Sequence, residues 1–274
     1  MNESIRRGHA YQPCATWSDG SQPAGSEVKA ASTRSRNDVY LSSIDDDPGS
    51  LLVVQIRWFG HAAFRLSSER SVIIDPFGDA LPSMVAKGND FSYPRIEGVE
   101  ADLLLITHEH FDHNAAERVG GEPAVIRSVA GKFGSPLGEV VAVASEHDAA
   151  AGTERGANTI FAFTLDGLRF CHFGDFGQPA LRPEQRMAIG DVDVLMLPVG
   201  GGPTIGAAAA ATITRELTPA LVLPMHYGTS RVNWLEPADG FLTALGWEVV
   251  SAPATARLAD LIGARPRVAL LAVP

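Results

Sequence analysis

Several features are scarce in this sequence, and each scarcity argues against a class of protein. The chain of 274 residues has two cysteines, Cys14 and Cys171, which lie far apart and form no CxxC motif, so no disulfide framework is expected. No apolar run is long enough for a membrane-spanning helix, and residues 1–7 lack the apolar stretch of a secretory signal. We therefore expect a cytoplasmic protein that does not enter membranes.

Positive charge is also scarce. The chain has 22 lysines and arginines against 32 aspartates and glutamates, a net charge of −10. General binding to nucleic acid needs a basic surface, so we expect none, although a local basic pocket remains open. Hydrophobic residues, in contrast, make up 45% of the chain, enough for a sizeable buried core.

The character of the chain changes near residue 50. Residues 1–50 are rich in Ser, Asp, Arg, Gly and Pro and show no hydrophobic periodicity, which predicts a disordered or loosely attached extension. A regulatory or partner-binding arm is the functional alternative. Residues 51–274 read as one α/β domain, in which strands first follow one another and later alternate with helices. Order is predicted to begin at Leu51, a long loop over 77–100, and helices over 114–130, 183–189, 206–217 and 236–245.

The most informative segment is Thr-His-Glu-His-Phe-Asp-His, residues 107–113, which follows a continuous apolar strand. On an extended backbone, residues two apart point to the same side, so His108 and His110 can hold one ion. Asp112 and His113 follow after a turn and can face a second ion. Imidazole and carboxylate ligands suit zinc, with iron and manganese as competitors.

Three further residues of ligand type stand where a strand runs into a loop: His147, Asp175 and His226. A catalytic ion usually takes about three protein ligands plus water, so the first motif alone cannot complete two sites. Each residue by itself is more often a satisfied polar side chain. Their shared position at strand ends, where ligand sites in α/β sheets lie, favours metal binding instead.

Together, these residues resemble the metallo-β-lactamase fold superfamily over roughly residues 52–250. The likeness is greatest to a bacterial branch of metal-dependent hydrolases that includes ascorbate-6-phosphate lactonase-like proteins. The segments that carry the likeness to this branch are Trp58–Phe64, Ile74–Phe77, Leu197–Gly202 and Pro224–Gly228.

The resemblance implies an α/β fold, a four-layer αβ/βα sandwich of two mixed β-sheets flanked by helices, with the site at one edge of the sheets. It implies that one ion binds His108, His110 and His147, that a second binds Asp112, His113 and His226, and that Asp175 bridges both. The implied activity is hydrolysis of a small-molecule ester, lactone or phosphodiester by a hydroxide between two divalent ions, which are expected to be zinc, with manganese or iron as alternatives.

Some residues near the ligands have roles that the sequence leaves open. Asp112 is the predicted catalytic residue, because a carboxylate beside the nucleophilic water can orient it or hold its proton. The residues that could contact the ligands or the substrate are His61, Asp75, His172 and Tyr227. Their ordinary alternatives are a core or turn histidine, a strand-ending turn and packing at the rim.

The role of the glycine-rich loop Gly200–Thr204, which follows a buried strand and precedes a helix, is open in the same way. Its backbone N–H groups could bind an anion near a helix start, or it could be a tight turn that needs glycine. Neither reading follows from the sequence alone.

Other functions fit the same ligands. The net negative charge of the chain disfavours a nuclease. A redox reaction at two irons usually needs a flavin-binding module, and the chain is too short to contain one beside the hydrolase-like domain. A non-catalytic metal-binding or sensory protein, with residues 1–50 as an interaction arm, is disfavoured because a structural zinc site is closed by four ligands. We expect a small-molecule substrate as the partner, and the oligomeric state stays open.

Overall fold

The computed structural model describes residues 54–274. The predictions for residues 1–50, and for Leu51 as the first ordered residue, lie outside the described residues. The described residues all belong to one compact unit. No helix within them is both long enough and apolar enough to cross a membrane.

Short strands dominate the described part of the chain. In chain order they are β1 (Gln55–Gly60), β2 (Ala63–Ser67), β3 (Ser71–Ile74), β4 (Val99–Glu100), β5 (Leu103–Ile106), β6 (Val119–Gly120), β7 (Ala124–Arg127), β8 (Gly131–Ser135), β9 (Gly138–Glu146), β10 (Ala157–Leu165), β11 (Leu168–His172), β12 (Val194–Pro198), β13 (Leu221–Met225), β14 (Glu248–Ala252), β15 (Thr255–Arg257) and β16 (Arg267–Leu271). The helices are α1 (Pro82–Val85), α2 (Pro183–Ile189), α3 (Ala207–Leu217), α4 (Asp239–Leu245) and α5 (Leu258–Leu261), with a short 3-10 helix at Ala116–Arg118.

Two large sheets, both mixed, organise these strands. The first has the order β15-β1-β2-β3-β5-β7, antiparallel from β15 to β3 and parallel from β3 to β7. The second has the order β14-β16-β13-β12-β11-β10-β9-β8, antiparallel from β8 to β11 and parallel beyond. Strands β4 and β6 form a small parallel pair. The prediction of two mixed sheets is confirmed.

The alternation of side chains along β5 shows how the layers are built. Leu103 and Leu105 belong to the main hydrophobic core, which also contains Phe161 of the second sheet. Leu104 and Ile106 belong to a separate cluster on the other side of the strand. Because successive side chains on a strand point to opposite faces, one short strand joins two hydrophobic layers.

Each sheet carries a covering layer. Helices α3 and α4 contact each other, and their buried residues join the core on the side of the second sheet. The first sheet is covered by the segment 77–99, whose aromatic residues Phe77, Phe91 and Tyr93 pack in the cluster of Ile106. This arrangement is the predicted four-layer sandwich.

The predicted helix over residues 114–130 is wrong. The structure has instead the short 3-10 helix followed by β6 and β7. Gly120, Gly121 and Pro123 interrupt the segment, because glycine and proline both disfavour the interior of a helix. Val125 and Ile126 are β-branched, and their strand extends the sheet beside β5.

Strand direction brings the functional residues to one edge of each sheet. Strands β1, β3 and β5 run the same way, and so do β9, β11, β12 and β13. Residues that follow strands of one direction therefore gather at their common carboxyl edge.

Candidate metal centre

The loops at these strand ends bring all seven predicted ligands together. Two sets of ligand atoms each lie within 4.8 Å of one another, and a third set of the same kind links them. The sets are His108, His110 and His147; His61, Asp112, His113 and His226; and His108, His113 and Asp175. The division matches the two predicted ion sites, with Asp175 between them and His61 as an addition.

Asp175 is the centre of the cluster and is 2% exposed. Its carboxylate faces the Nε2 atoms of four histidines. The distances are 3.0 Å to His147, 3.2 Å to His226, 3.2 Å to His113 and 3.9 Å to His108. Such a carboxylate can contact two ions at once.

A chain of hydrogen bonds fixes the tautomer of His108. The hydroxyl of Thr107 donates to Asp75 Oδ2 at 2.7 Å. Since that hydroxyl has one proton, its oxygen must accept from His108 Nδ1, which lies 3.0 Å away. The lone pair of a neutral His108 therefore resides on Nε2, which faces Asp175.

His113 and His147 are oriented in the same way. His113 Nδ1 donates to the carboxylate of Asp75 at 2.9 Å, and His147 Nδ1 donates to the carbonyl of Pro203 at 3.0 Å. Outer acceptors of this kind are typical of metal-binding histidines, because they leave the other ring nitrogen free for the ion. Asp75 thus occupies the supporting position that the sequence left open.

Several inward-facing atoms are buried without a hydrogen bond. His113 Nε2 and Asp175 Oδ1 lie 3.2 Å apart, yet neither has a hydrogen-bond partner. Buried polar atoms are normally satisfied, and converging lone pairs of imidazole and carboxylate are what a divalent cation requires. The residues present fit a metal.

Charge in the cluster follows from burial and proximity. Burial raises the pKa of Asp175, but the charges of His113 and His226 lower that pKa well below its usual value. Burial lowers the pKa of His113, but Asp175 and Asp75 raise it well above the usual value. The contact with two carboxylates therefore favours the protonated form of His113 in the metal-free protein.

The turn before Asp175 depends on a glycine. Gly174 has a φ of +54°, and a Cβ there would lie 2.7 Å from the Thr107 side chain and closer still to Asn158 Oδ1. The same Asn158 oxygen accepts a hydrogen bond from the Asp175 N–H at 3.0 Å. His172 supports the turn too, since its Nδ1 accepts from the Gly174 N–H and its Nε2 donates to the Ala62 carbonyl.

His61 contacts the second set of ligands. It is fully buried, its Nε2 lies 3.2 Å from Asp112 Oδ2, and its ring lies 4.1 Å from that of His226. Burial, followed by the nearby His226, lowers the pKa of His61 to about 4, so it is neutral at pH 7. Its one ring proton then serves the hydrogen bond to Asp112.

Asp112 is ionised in this setting. Burial raises its pKa, but the hydrogen bond from His61 and the charge of His113 lower that pKa well below its usual value. One carboxylate oxygen is occupied by His61, and the residue also lines the cavity described below.

Tyr227 lies elsewhere. Its ring stacks on Trp58 at 5.7 Å, and the lining of the cavity does not include it. The structure shows the packing alternative for this residue.

The glycine loop forms a tight turn. Gly201 and Gly202 have φ values of +60° and +62°. The N–H of Gly200 donates to the His226 carbonyl and that of Gly201 to the Ile205 carbonyl. These two donors are used within the protein, and the loop places the Pro203 carbonyl against His147.

The centre opens into a cavity of about 630 Å³. Its lining includes His110, Asp112, His147, Asp175 and His226. His110 is exposed, whereas His108 and His113 are buried. An open face of this kind is typical of a catalytic metal site, and a structural site is closed.

Sequence reasoning missed several supporting residues. Thr107, Asn158 and Pro203 position ligands through contacts between segments that are distant in the chain. Thr107 directly precedes the histidine motif, which is the one local signal available for it. Nothing local distinguishes the other two.

Comparison with known proteins gives consistent results. A family model described as "Beta-lactamase superfamily domain" matches residues 55–226. A protein named UPF0173 metal-dependent hydrolase from Thermococcus kodakarensis is 32% identical over 203 residues, which cover 65% of this chain and 86% of the relative. One of the same name from Archaeoglobus fulgidus is 30% identical over 217 residues, covering 68% and 88%.

Solved structures share the fold. A Thermotoga maritima protein described as a Zn-dependent hydrolase of the metallo-β-lactamase superfamily is 30% identical, with a TM-score of 0.63, covering 80% of this chain and 98% of that one. A Parabacteroides distasonis protein described as a metal-dependent hydrolase is 21% identical with a TM-score of 0.52, covering 70% of this chain and 88% of that one, and this likeness concerns the fold alone.

Proposed function

The chain belongs to the family described as "Beta-lactamase superfamily domain" and is a metal-dependent hydrolase. From that premise we propose that it cleaves small-molecule esters, lactones or phosphodiesters with two divalent ions. The observation that carries the proposal is the set of three histidines, His108, His113 and His147, whose Nδ1 atoms are held by outer acceptors while their Nε2 atoms converge on Asp175.

The ligand set supports a pair of ions. The first would be held by His108, His110 and His147, the second by Asp112, His113 and His226, and Asp175 would contact both. Six donors and one shared carboxylate give each ion about four protein ligands, which leaves positions for water and substrate. Imidazole and carboxylate donors, with no thiolate among them, favour zinc and also permit manganese or iron.

When bound, two such ions would lower the pKa of a water held between them and polarise the oxygen of the bond to be cleaved. The protein supplies position and charge. Asp112 is ionised, and one of its oxygens accepts a hydrogen bond from His61. We therefore favour Asp112 as a metal ligand that also orients the water, rather than as the group that takes the proton of the water. We assign His61, Asp75 and His172 as positioning residues, because each acts through a ligand or its turn.

The test compares two changes in the same motif. His110→Ala removes a ligand and is expected to lose most bound metal and at least about 100-fold in turnover, since even outer-shell changes at metal sites cost roughly 10–100-fold. Glu109→Gln is the matched control for metal content, because the Glu109 side chain is turned to Arg127, Ser128 and Asn114.

The measurements are metal content by mass spectrometry and turnover of ester, lactone and bis-p-nitrophenyl phosphate panels. Metal-stripped protein should be inactive and should recover when zinc is returned. Unchanged metal content in His110→Ala, or metal-loaded protein that is inert on every panel, would overturn the proposal.

A further inference from the structure

Two cations share the cavity with the metal ligands. Lys87 and Arg155 both line it, and both are exposed. Within the described residues, neither side chain has an ion-pair partner. By contrast, Arg127 pairs with Glu109 and Arg182 with Glu146. Although the chain has a net charge of −10, two cations without a paired carboxylate therefore line the cavity beside the candidate metal centre.

The other charges of the lining do not cancel these cations. Glu109, also in the lining, accepts hydrogen bonds from Arg127 and Ser128, and the Arg127 guanidinium forms an ion pair with its carboxylate. Its charge is therefore already neutralised. The carboxylate of Asp112 accepts a hydrogen bond from His61, and that of Asp175 faces the ligand His147.

Arg155 lies on a loop whose backbone is fixed by hydrogen bonds. The loop begins at the ligand His147, whose N–H donates to the Gly156 carbonyl at 3.1 Å and closes it. Inside, the Asp148 carboxylate accepts four backbone N–H groups at 2.8 to 3.1 Å, from Ala150, Gly152, Glu154 and Arg155. The backbone of Arg155 is thus fixed relative to a metal ligand.

Lys87 belongs to another segment of the cavity lining. It follows α1, and its N–H donates to the Met84 carbonyl. Asn233 fastens the next residues, since it accepts from the Asp90 N–H at 2.8 Å and donates to the Gly88 carbonyl at 3.0 Å. Its neighbour Trp234 lines the same cavity.

The rest of the wall is largely apolar. Leu81, Met84, Phe111, Pro203 and Trp234 all line the cavity. Apolar walls with a few placed polar groups are typical of small-molecule sites, in which the polar groups fix orientation.

We propose that the substrate is an amphiphilic anion: a small molecule with an apolar body, the bond to be cleaved at the metal centre, and a separate carboxylate or phosphate that Lys87 and Arg155 bind. The inference rests on the proposed function and adds the substrate class. Lys87 and Arg155 are specificity-determining residues, because they contact a part of the substrate away from the reacting bond.

The kinetic test uses the zinc-loaded full chain and p-nitrophenyl esters of one six-carbon acid, whose far end is a methyl, a carboxylate or a phosphate monoester. The substrate that ends in a carboxylate or the one that ends in a phosphate should have the lowest KM. Whichever of these two has the lower KM identifies the anionic group that the cavity prefers. Lys87→Gln and Arg155→Gln should each raise that KM roughly fivefold, as expected for a partly solvated charge pair, with kcat and the neutral ester little changed.

A binding test separates this inference from the hydrolase proposal. Calorimetry measures hexanoate, hexyl phosphate and hexan-1-ol on the wild type and on the double variant Lys87→Gln/Arg155→Gln. Preference for an anion in the wild type, lost in the double variant, supports the inference even if no ester is cleaved. The matched controls Lys132→Gln and Arg257→Gln alter exposed cations outside the cavity lining and should change nothing.

Equal binding of the anions and the alcohol would overturn the inference. So would an anion preference that persists in the double variant, because the anion would then be bound by the metal centre alone. Turnover of all three esters with equal KM would leave the hydrolase proposal standing and contradict the substrate class.

Discussion

His61, Asp75 and His226 share an unusual backbone conformation. Their φ values are 52°, 47° and 50°, in a region that residues other than glycine rarely adopt. Each directly follows a strand of the edge that carries the metal centre. Local strain of this kind tends to collect at functional sites, where the surrounding structure over-determines the conformation. For His61, its carbonyl accepts both the Trp58 Nε1–H and the His226 N–H, which hold the turn in place.

A pair of variants at His61 tests its positioning role. His61→Gln retains an N–H donor for Asp112, whereas His61→Leu retains bulk without a donor. We expect His61→Leu to weaken binding of the second ion and to lower turnover by roughly 10–100-fold, with substantial rescue in His61→Gln. Zinc titration reports the two binding steps separately. Equal defects in both variants would show that His61 matters for packing alone.

Proton release on metal binding is expected from the histidines of the metal-free protein. Burial lowers the pKa of His147, but Asp175 raises it above its usual value, as Asp175 and Asp75 do for His113. Below these raised pKa values an ion must displace protons, so the apparent zinc affinity should rise with pH from 6.5 upward until both histidines are neutral. Calorimetry in buffers of different ionisation enthalpy measures the released protons, and affinity that is independent of pH would contradict this electrostatic account.

The sequence singled out the residues that cluster at the candidate metal centre and offered Asp75 as a possible contact to them, but it did not give the partners of the supporting residues. A compact motif and strand-ending positions pointed to residues such as His108 and His226. Asp75 and Thr107, in contrast, are 32 positions apart, and their contact depends on the pairing of β3 with β5. A single sequence contains no direct signal for such a pairing.

Secondary structure was likewise predicted well where the local sequence pattern is strong and poorly where it depends on contacts between distant segments. Apolar strands such as β12 and β13 and the alanine-rich helix α3 were predicted near their observed bounds because their patterns are strong. The helix predicted over 114–130 failed because Gly120, Gly121 and Pro123 outweigh the helix-forming residues before them. Strand β7 is stabilised by pairing with β5, which local propensity does not reveal.

The turn between β11 and Asp175 offers a test with an internal control. Gly174→Ala should destabilise the protein by roughly 1–3 kcal/mol more than Gly246→Ala, because its new Cβ meets Thr107 and Asn158 in a packed site. Gly246 has a φ of +70° with nothing within 4 Å of the added Cβ, so its substitution reports the backbone strain alone. Chemical denaturation measures both variants.

Metal content shows whether the substitution at Gly174 affects the metal centre as well as the stability of the fold, with Gly246→Ala again as the control. Gly174→Ala should also lose zinc, because Asp175 follows the turn. Equal stability and equal metal content in the two variants would show that the close contacts at Gly174 do not affect the free energy of unfolding or metal binding.

At the scale of the whole molecule, the matched family model and the clustered site residues lie within the described residues. The first site residue is His61, and the matched family model begins at residue 55. Deleting residues 1–45 is therefore expected to leave the melting temperature, zinc content and turnover unchanged, as composition alone predicted. A large drop in melting temperature on truncation would show that the arm is docked on the domain.

The global arrangement was predictable only through resemblance. Hydrophobic patterns indicate an α/β protein, but they do not give the order of the strands in two sheets. The motif at residues 108–113, read with the strand ends at His147, Asp175 and His226, supplied the family and with it the fold. The cavity wall, including Lys87 and Arg155, became visible only in the structure.

The central claim is that two ions share one carboxylate, and anomalous X-ray diffraction from crystals of the zinc-loaded protein tests it most directly. The account predicts two zinc peaks on either side of Asp175. One peak should contact His108, His110 and His147, and the other Asp112, His113 and His226. A single peak at full zinc loading, or a second peak away from Asp112, His113 and His226, would contradict the account.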